Sequence, residues 1–420
     1  MSREVPDGWA KVQMGDVCRK AASTVQVSSR KEYGLLGVRW YGNGSHLHSQ
    51  VSGSTLKTKL LNQVRSTQIV YNKMWVSKGA FAVVPSDHDK LYATSEYPNF
   101  DLNREKIDPE FIEHCMRWDK FQSDARLLCK GSTSRARLNP SDFLTLEIWL
   151  PPLHEQRRIA EILSSVDEAI AATRAVIEQT KTVKQAVLER LLTRGIGHTR
   201  FKQTEIGEIP EAWDVADLFQ ILREPVRNGY SPISPPSPTG GWLLSLGSLS
   251  DDGLTGENLK PAPLDDPRIV AAKLTYDDVL ISRSNTPDRV GMVGIYKGEP
   301  DNCFFPDLMI CLRFNENLII ADFGALWLRH LKASGHFRRA AAGTSASMVK
   351  INRSILSQIR IAVPSAGEQK AIFGSIGELQ STIGAAVDQL NTMIELKSAL
   401  MSDLLTGRKR VTDALPLAAE

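Results

Sequence analysis

Few residues in this sequence are arranged to do covalent chemistry. The triplet Glu368-Gln369-Lys370, with Pro306-Asp307 upstream, has the formal Asp and Glu-x-Lys pattern with which nucleases hold a metal ion beside a phosphodiester. Glu155-Gln156-Arg157 repeats the same residue types earlier in the chain. Both triplets fall in the first turn of an expected helix, where a glutamate complements the positive end of the helix dipole. A structural role is therefore expected for both. His46-Leu47-His48 sets two imidazoles at strand spacing, but no acidic or cysteine partner is evident nearby, so no metal site is expected. No Gly-x-x-x-x-Gly-Lys-Ser/Thr phosphate loop occurs, which argues against a nucleotide-driven motor. The chain reads as non-catalytic, with no metal or cofactor of its own.

The elements that carry the two triplets are more informative. Leu150-Pro151 recurs as Val363-Pro364, Glu155-Gln156-Arg157 as Glu368-Gln369-Lys370, and Leu191-Leu192-Thr193 as Leu404-Leu405-Thr406, each at an offset of 213. A shorter echo has an offset of 204: Val5-Pro6-Asp7-Gly8-Trp9 returns as Ile209-Pro210-Glu211-Ala212-Trp213. The stretch from Leu153 to Arg194 lacks Gly and Pro and consists mostly of good helix formers. Ile159, Val166, Thr173, Thr180 and Val187 form one row at heptad spacing, and Leu163, Ile170, Ile177 and Leu191 a second, broken by Lys184. In the second copy Ile372, Leu379, Ala386, Met393 and Leu400 stand beside Ile376, Ile383, Leu390 and Leu404, broken by Lys397. Sustained heptads predict two long helices packed on each other. Roughly 40 residues at 1.5 Å each reach about 60 Å, longer than a small domain. Pro151-Pro152 and the capping-box pattern Ser365-Ala366-Gly367-Glu368 open the helices, and Gly195 and Gly407 stop them. The order of the repeated parts predicts antiparallel helices and a circular repeat with pseudo-twofold symmetry.

At 420 residues the chain has room for two or three domains. Two dissimilar segments, roughly 18–130 and 222–343, lie between the repeated frames. They mix short β-prone runs such as Ala80–Val84 and Val279–Ser282 with one candidate helix each, near 108–121 and 320–334. Met74–Lys78 resembles Val279–Arg283 as a strand ending in serine and a cation, and Ser231–Gly241 reads as an exposed loop. The expected fold is α/β: two globular recognition domains of mixed strands and short helices, separated by two long antiparallel coiled-coil helices. The boundaries read as 1–150 for the first domain, 151–195 for the central helix, 196–363 for the second domain, 364–410 for the C-terminal helix and 411–420 for a tail. Cys18, Cys115, Cys129, Cys303 and Cys311 are odd in number and scattered, as reduced cysteines of a cytoplasmic protein are. No run of 18 apolar residues and no apolar N-terminal core is present, so neither membrane insertion nor secretion is expected. A net charge of +3 permits nucleic-acid binding without arguing for it.

The chain resembles the specificity subunits of type I DNA restriction–modification systems. The resemblance spans essentially its whole length and rests on the Val5-Pro6-x-Gly8-Trp9 opening with its Ile209-Pro210-x-x-Trp213 return, the Pro-Glu-Gln helix entries, the Leu-Leu-Thr exits, and Asp277–Arg283 followed by Gly291-Met292-Val293-Gly294. That family implies two target-recognition domains, each reading half of a split double-stranded DNA sequence through the major groove. It also implies two methyltransferase subunits docked on the helices, two motor-endonuclease subunits for cleavage, and S-adenosylmethionine, ATP and Mg on those partners. At about 3.4 Å per base pair, a spacer of tens of ångströms would separate the half-sites by several unread pairs, and the expected gap is about 5–8. Adenine methylation needs an Asn/Asp-Pro-Pro-aromatic loop that this chain lacks; Asn139-Pro140-Ser141 is only a turn. The competing readings are a coiled-coil adaptor that binds proteins and a subunit of a related modification-only system.

On that resemblance, the DNA-binding candidates are Ser77, Lys78, Ser132, Ser134, Arg135 and Arg137 in the first module, and Arg283, Asn285, Arg289, Ser345, Ser347 and Lys350 in the second. Their side chains suit phosphates and base edges, and the alternative is solvated surface charge. Tyr33, Trp40, Tyr41 and Trp242 could stack or wedge, though strand spacing favours the core. Off the main helix rows, Ile162, Val176, Val183, Leu188, Phe373, Val387, Ile394 and Leu396 are candidates for docking the methyltransferase in a four-helix arrangement.

Overall fold

The computed structural model describes residues 6–131, 136–345 and 348–411, with the backbone alone described for 342–345. It divides into two compact units, residues 1–175 with 387–420, and residues 176–386. The two long helices, Leu153–Arg194 and Ala366–Leu404, each contribute part of their length to either unit.

In the first unit, strand Ala10–Gln13 pairs antiparallel with Glu147–Leu150, Ala10 opposite Leu150. A four-stranded sheet has the order Cys18–Lys20, Asn99–Leu102, Ile69–Tyr71, Phe81–Val83, and a five-stranded sheet includes Glu32–Val38 and Ser45–Ser52. Helices Pro109–Arg117 and Asp119–Leu127 cover a core in which Tyr71, Phe81, Phe100 and Phe143 pack ring on ring.

In the second unit, strand Asp214–Asp217 pairs antiparallel with Arg360–Val363, Asp214 opposite Val363. This pair is where the two sequence offsets meet, because 10 + 204 is 214 and 150 + 213 is 363. The central sheet orders Arg227–Asn228, Met309–Leu312, Val279–Ser282 and Val293–Ile295. Helix Ala321–Ala333 packs over it. Asp278, fully buried, accepts Arg313 Nε at 2.6 Å and Nη2 at 2.9 Å, pinning two neighbouring strands of this sheet together. The stretch 231–241 carries no helix or strand, as its Ser/Pro/Gly content predicts.

The heptad rows form an antiparallel seam in each unit. In the first, Ile159 and Leu163 share a buried cluster with Met401 and Leu404, and Lys397 Nζ reaches Asp167 at 2.5 Å. In the second, Leu188 and Leu192 share one with Ile372 and Ile376, and Lys184 Nζ reaches Gln380 at 2.5 Å. The two lysines that interrupt the rows are thus matched by partners at the same offset, since 167 + 213 is 380. Each lysine lays its methylenes along the seam and carries its charge to a polar group on the facing helix.

One expected element differs. Met74–Lys78 is not a strand but leads into a 3₁₀ turn, Trp75–Lys78. Asn72 Oδ1 accepts the backbone N–H groups of Met74 and Trp75 at 3.0 and 3.2 Å, which folds the chain before a strand can extend. The counterpart Val279–Ser282 is a buried central strand, so the likeness between the two segments is one of residue type only.

Candidate nucleic-acid interface

The triplets at the helix entries serve structure. Glu155 accepts the Trp9 indole N–H at 3.0 Å and a two-point contact from Arg410, Nε at 2.9 Å and Nη2 at 3.0 Å. Burial acts to raise the Glu155 carboxyl, but the hydrogen bonds from Arg410 and Trp9 outweigh it and hold the group below its ordinary range. Glu368 is used in the same way, accepting the Trp213 indole N–H at 2.8 Å, the Ile196 N–H at 2.9 Å and His198 Nε2 at 2.9 Å. Arg410 and His198 each lie three residues beyond the glycine that stops a long helix, Gly407 and Gly195. Both glycines are left-handed, φ 67° and 62°, and a side chain at either would collide with the Pro-x-x-Trp turn, against Pro6 in one unit and Trp213 in the other. The capping box expected at Ser365 is therefore half made. Glu368 N donates to Ser365 Oγ at 3.3 Å, while the Glu368 carboxylate turns to the tryptophan.

The neighbouring glutamines are equally matched. Gln156 is fully buried; its amide donates to Lys106 O at 2.9 Å and Pro151 O at 2.8 Å and accepts Asp108 N at 2.8 Å. Gln369 donates to Leu318 O and Pro364 O, both at 2.9 Å, and accepts Ile320 N at 2.8 Å. Asp108 and Ile320 are the N-caps of helices Pro109–Arg117 and Ala321–Ala333, so each glutamine ties a short helix to the root of a long one. With every polar atom of the Glu-Gln pair engaged, no metal-binding Glu-x-Lys remains. Among the described residues no cluster of three or more His, Cys, Asp or Glu could hold a metal ion.

The polar candidates are sorted by burial. Ser77 and Lys78 are exposed on the 3₁₀ turn, and the Lys78 ammonium has no partner among the described residues. Arg137 is exposed nearby, 3.3 Å from Glu96 and with Nη2 3.5 Å from Met74 Sδ. Arg289 is exposed and donates to Leu249 O at 3.0 Å; Lys350 is exposed on strand Met348–Lys350 without a partner among the described residues. Arg283 is half-buried and donates to Asp307 O at 3.3 Å. Asn285 requires correction. It is buried, donates to Ser282 Oγ at 3.3 Å and accepts the Thr286 N–H at 2.9 Å, so its amide serves the strand turn and is not an exposed contact. Ser132, Ser134, Arg135 and Ser347 lie outside the described residues, as does the side chain of Ser345.

On the helices, Val176, Val183, Phe373, Ile394 and Leu396 are exposed, and Ile162 and Val387 are half-buried. Leu188 is the exception: it is buried in the second unit's core, filling the seam where the Leu191 row was expected to point, and is no docking residue. Val183 and Leu396 are equivalent, since 183 + 213 is 396, and both remain open. Of the aromatics, Tyr33 is buried and Trp242 half-buried, but Trp40 and Tyr41 are exposed beside Trp75. Sequence reasoning passed over Trp75, whose signal was its place two residues before Ser77.

Comparisons with known proteins agree with this geometry. Residues 6–182 match the model of the type I restriction modification DNA specificity domain. The specificity subunit of the MjaVIII type I restriction enzyme of Methanocaldococcus jannaschii is 23% identical over 424 residues, covering 97% of this chain and 94% of that protein. A chain solved in a study of complex assembly and conformational transition of the type I R-M system superposes with a TM-score of 0.66 at 18% identity, covering 97% of this chain and 100% of that one. The S subunit of a type I system from M. genitalium gives a TM-score of 0.53 at 15% identity, covering 98% and 99%.

Proposed function

We propose that this chain is the sequence-reading subunit of a type I restriction–modification complex, a reading supported by the match of residues 6–182 to the DNA specificity domain and by the likeness to the MjaVIII specificity subunit. Each unit reads one half of a split double-stranded DNA target through the major groove, and the chain performs no catalysis itself. Two methyltransferase subunits dock on the long helices, with Val183 and Leu396 as equivalent exposed contacts. Two motor-endonuclease subunits join for cleavage, and S-adenosylmethionine, ATP and Mg are held by these partners.

One observation carries this reading. The two units repeat the strand pair, the Trp-Glu contact and the glutamine anchor residue for residue, while the exposed polar and aromatic side chains between those anchors differ. Alike parts suit two copies of one partner, and unlike parts suit two different half-sites. Methylation sequencing of DNA modified by this chain together with its methyltransferase partner tests it. The expected outcome is one asymmetric, interrupted adenine motif; a continuous motif, or no motif, would overturn the proposal.

A further inference from the structure

We propose that Trp40 and Trp75 form an apolar wedge that enters a base step of the half-site read by the first unit; this rests on the DNA-reading function proposed above. Strand Glu32–Val38 ends two residues before Trp40, and the chain then turns through Tyr41 and Gly42 with left-handed φ values of 58° and 66°. A tyrosine seldom adopts that conformation unless its surroundings impose it. Here they do. Tyr41 N donates to Lys78 O at 2.7 Å, Gly42 N to Gly79 O at 2.9 Å, and Arg117 Nε to Gly42 O at 2.9 Å. Asn43 Nδ2 closes the turn on Trp40 O at 3.0 Å. The loop is thereby bound to the Trp75–Lys78 turn, which sets the two indoles 5.1 Å apart, centroid to centroid, with their planes at 45°.

Trp40 is 43% exposed, Trp75 40% and Tyr41 64%. A single exposed aromatic needs no explanation, but three held together on a constrained backbone mark a contact surface. Charge identifies the occupant. Lys78 stands on the same turn with a free ammonium among the described residues, and exposed Ser77 is beside it. An apolar ridge with a free cation at its base matches side chains that wedge into a base step while the cation takes the flanking phosphate. The mode follows from spacing. A base sandwiched between two rings needs about 7 Å, twice the roughly 3.4 Å rise per base, so rings 5.1 Å apart act as one edge and not as a clamp.

The test uses the full chain assembled with its methyltransferase, on duplexes carrying the methylated target. Trp40→Ala and Trp75→Ala should each weaken binding about 10- to 100-fold, as loss of base–aromatic contact does. The slope of log affinity against log salt should stay unchanged, because no phosphate contact is removed. Lys78→Ala should lower that slope by about one. Trp40→Phe and Trp75→Phe should keep most of the affinity, which separates loss of the ring from loss of the fold. Methylation sequencing of the alanine variants should show relaxed selection at one base step in a single half-site. The proposal is overturned if alanine variants with a wild-type melting temperature bind DNA as well as the parent. It is equally overturned if they lose assembly with the methyltransferase in gel filtration while DNA affinity is retained, for the ridge would then be a protein contact. A wild-type complex without salt-dependent DNA binding would instead remove the function on which the wedge depends.

Discussion

Replacing Gln369 by alanine should loosen helix Ala321–Ala333 and leave helix Pro109–Arg117 closed; Gln156→Ala should do the reverse. The Gln369 amide makes three hydrogen bonds, to Leu318 O, Pro364 O and Ile320 N, and is 1% exposed. Three lost bonds at a net value of about 1 kcal/mol each, with the half-buried Ile320 N–H left unpaired at about 1–3 kcal/mol, give about 4–6 kcal/mol. Any cavity left by the missing side chain adds to this. Local opening of the anchored helix would then rise by about three to four orders of magnitude, at about 1.4 kcal/mol per factor of ten. Hydrogen exchange followed by mass spectrometry on the full chain reads this directly, because the amides of the two short helices fall in different peptides. Gln369→Glu retains the acceptor for Ile320 N but turns a carboxylate oxygen toward two carbonyls, so it should loosen the helix at least as much. Equal loss of protection in both short helices, or no loss in either, would refute the idea that each glutamine anchors its own helix.

Two further outcomes follow from buried charges. Burial, reinforced by the nearby Arg117, pushes the His114 imidazole down to about 4. The folded chain thus favours the neutral ring, so the contribution is present above about pH 6.5 and is lost as pH falls toward 4, amounting to about 3 kcal/mol. Urea unfolding of wild type and His114→Gln at pH 7 and pH 4.5 checks this; a variant that loses as much stability on acidification as the wild type would refute it. Arg313→Ala leaves the fully buried Asp278 carboxylate without its cation and should cost about 3–5 kcal/mol. An unchanged melting temperature for that variant would show that the pair does not hold the central sheet of the second unit.

Much of the scaffold was legible because it is local or repeated. The long helices show in their heptads and strand Val279–Ser282 in its apolar run. The Glu-Gln triplets were read as structural from helix position alone, and their contacts agree. The candidate binding residues were less legible. Asn285 and Lys350 look alike as polar groups near a strand end, yet one bonds its own turn and the other is open. Leu188 and Val183 both lie off the heptad rows, but only Leu188 meets a core. Composition cannot separate such pairs, because burial depends on which distant segment arrives.

By itself the sequence determined the two-copy plan and the helices, since periodicity and repeat spacing are written along the chain. The tertiary structure alone decided the partners. Arg410 meets Glu155 across 255 residues, His198 meets Glu368 across 170, and the Trp40 loop closes on the Trp75 turn through backbone hydrogen bonds. Such pairings follow from chain reversal at left-handed glycines and from antiparallel packing, which bring distant residues together without leaving a periodic trace in the sequence.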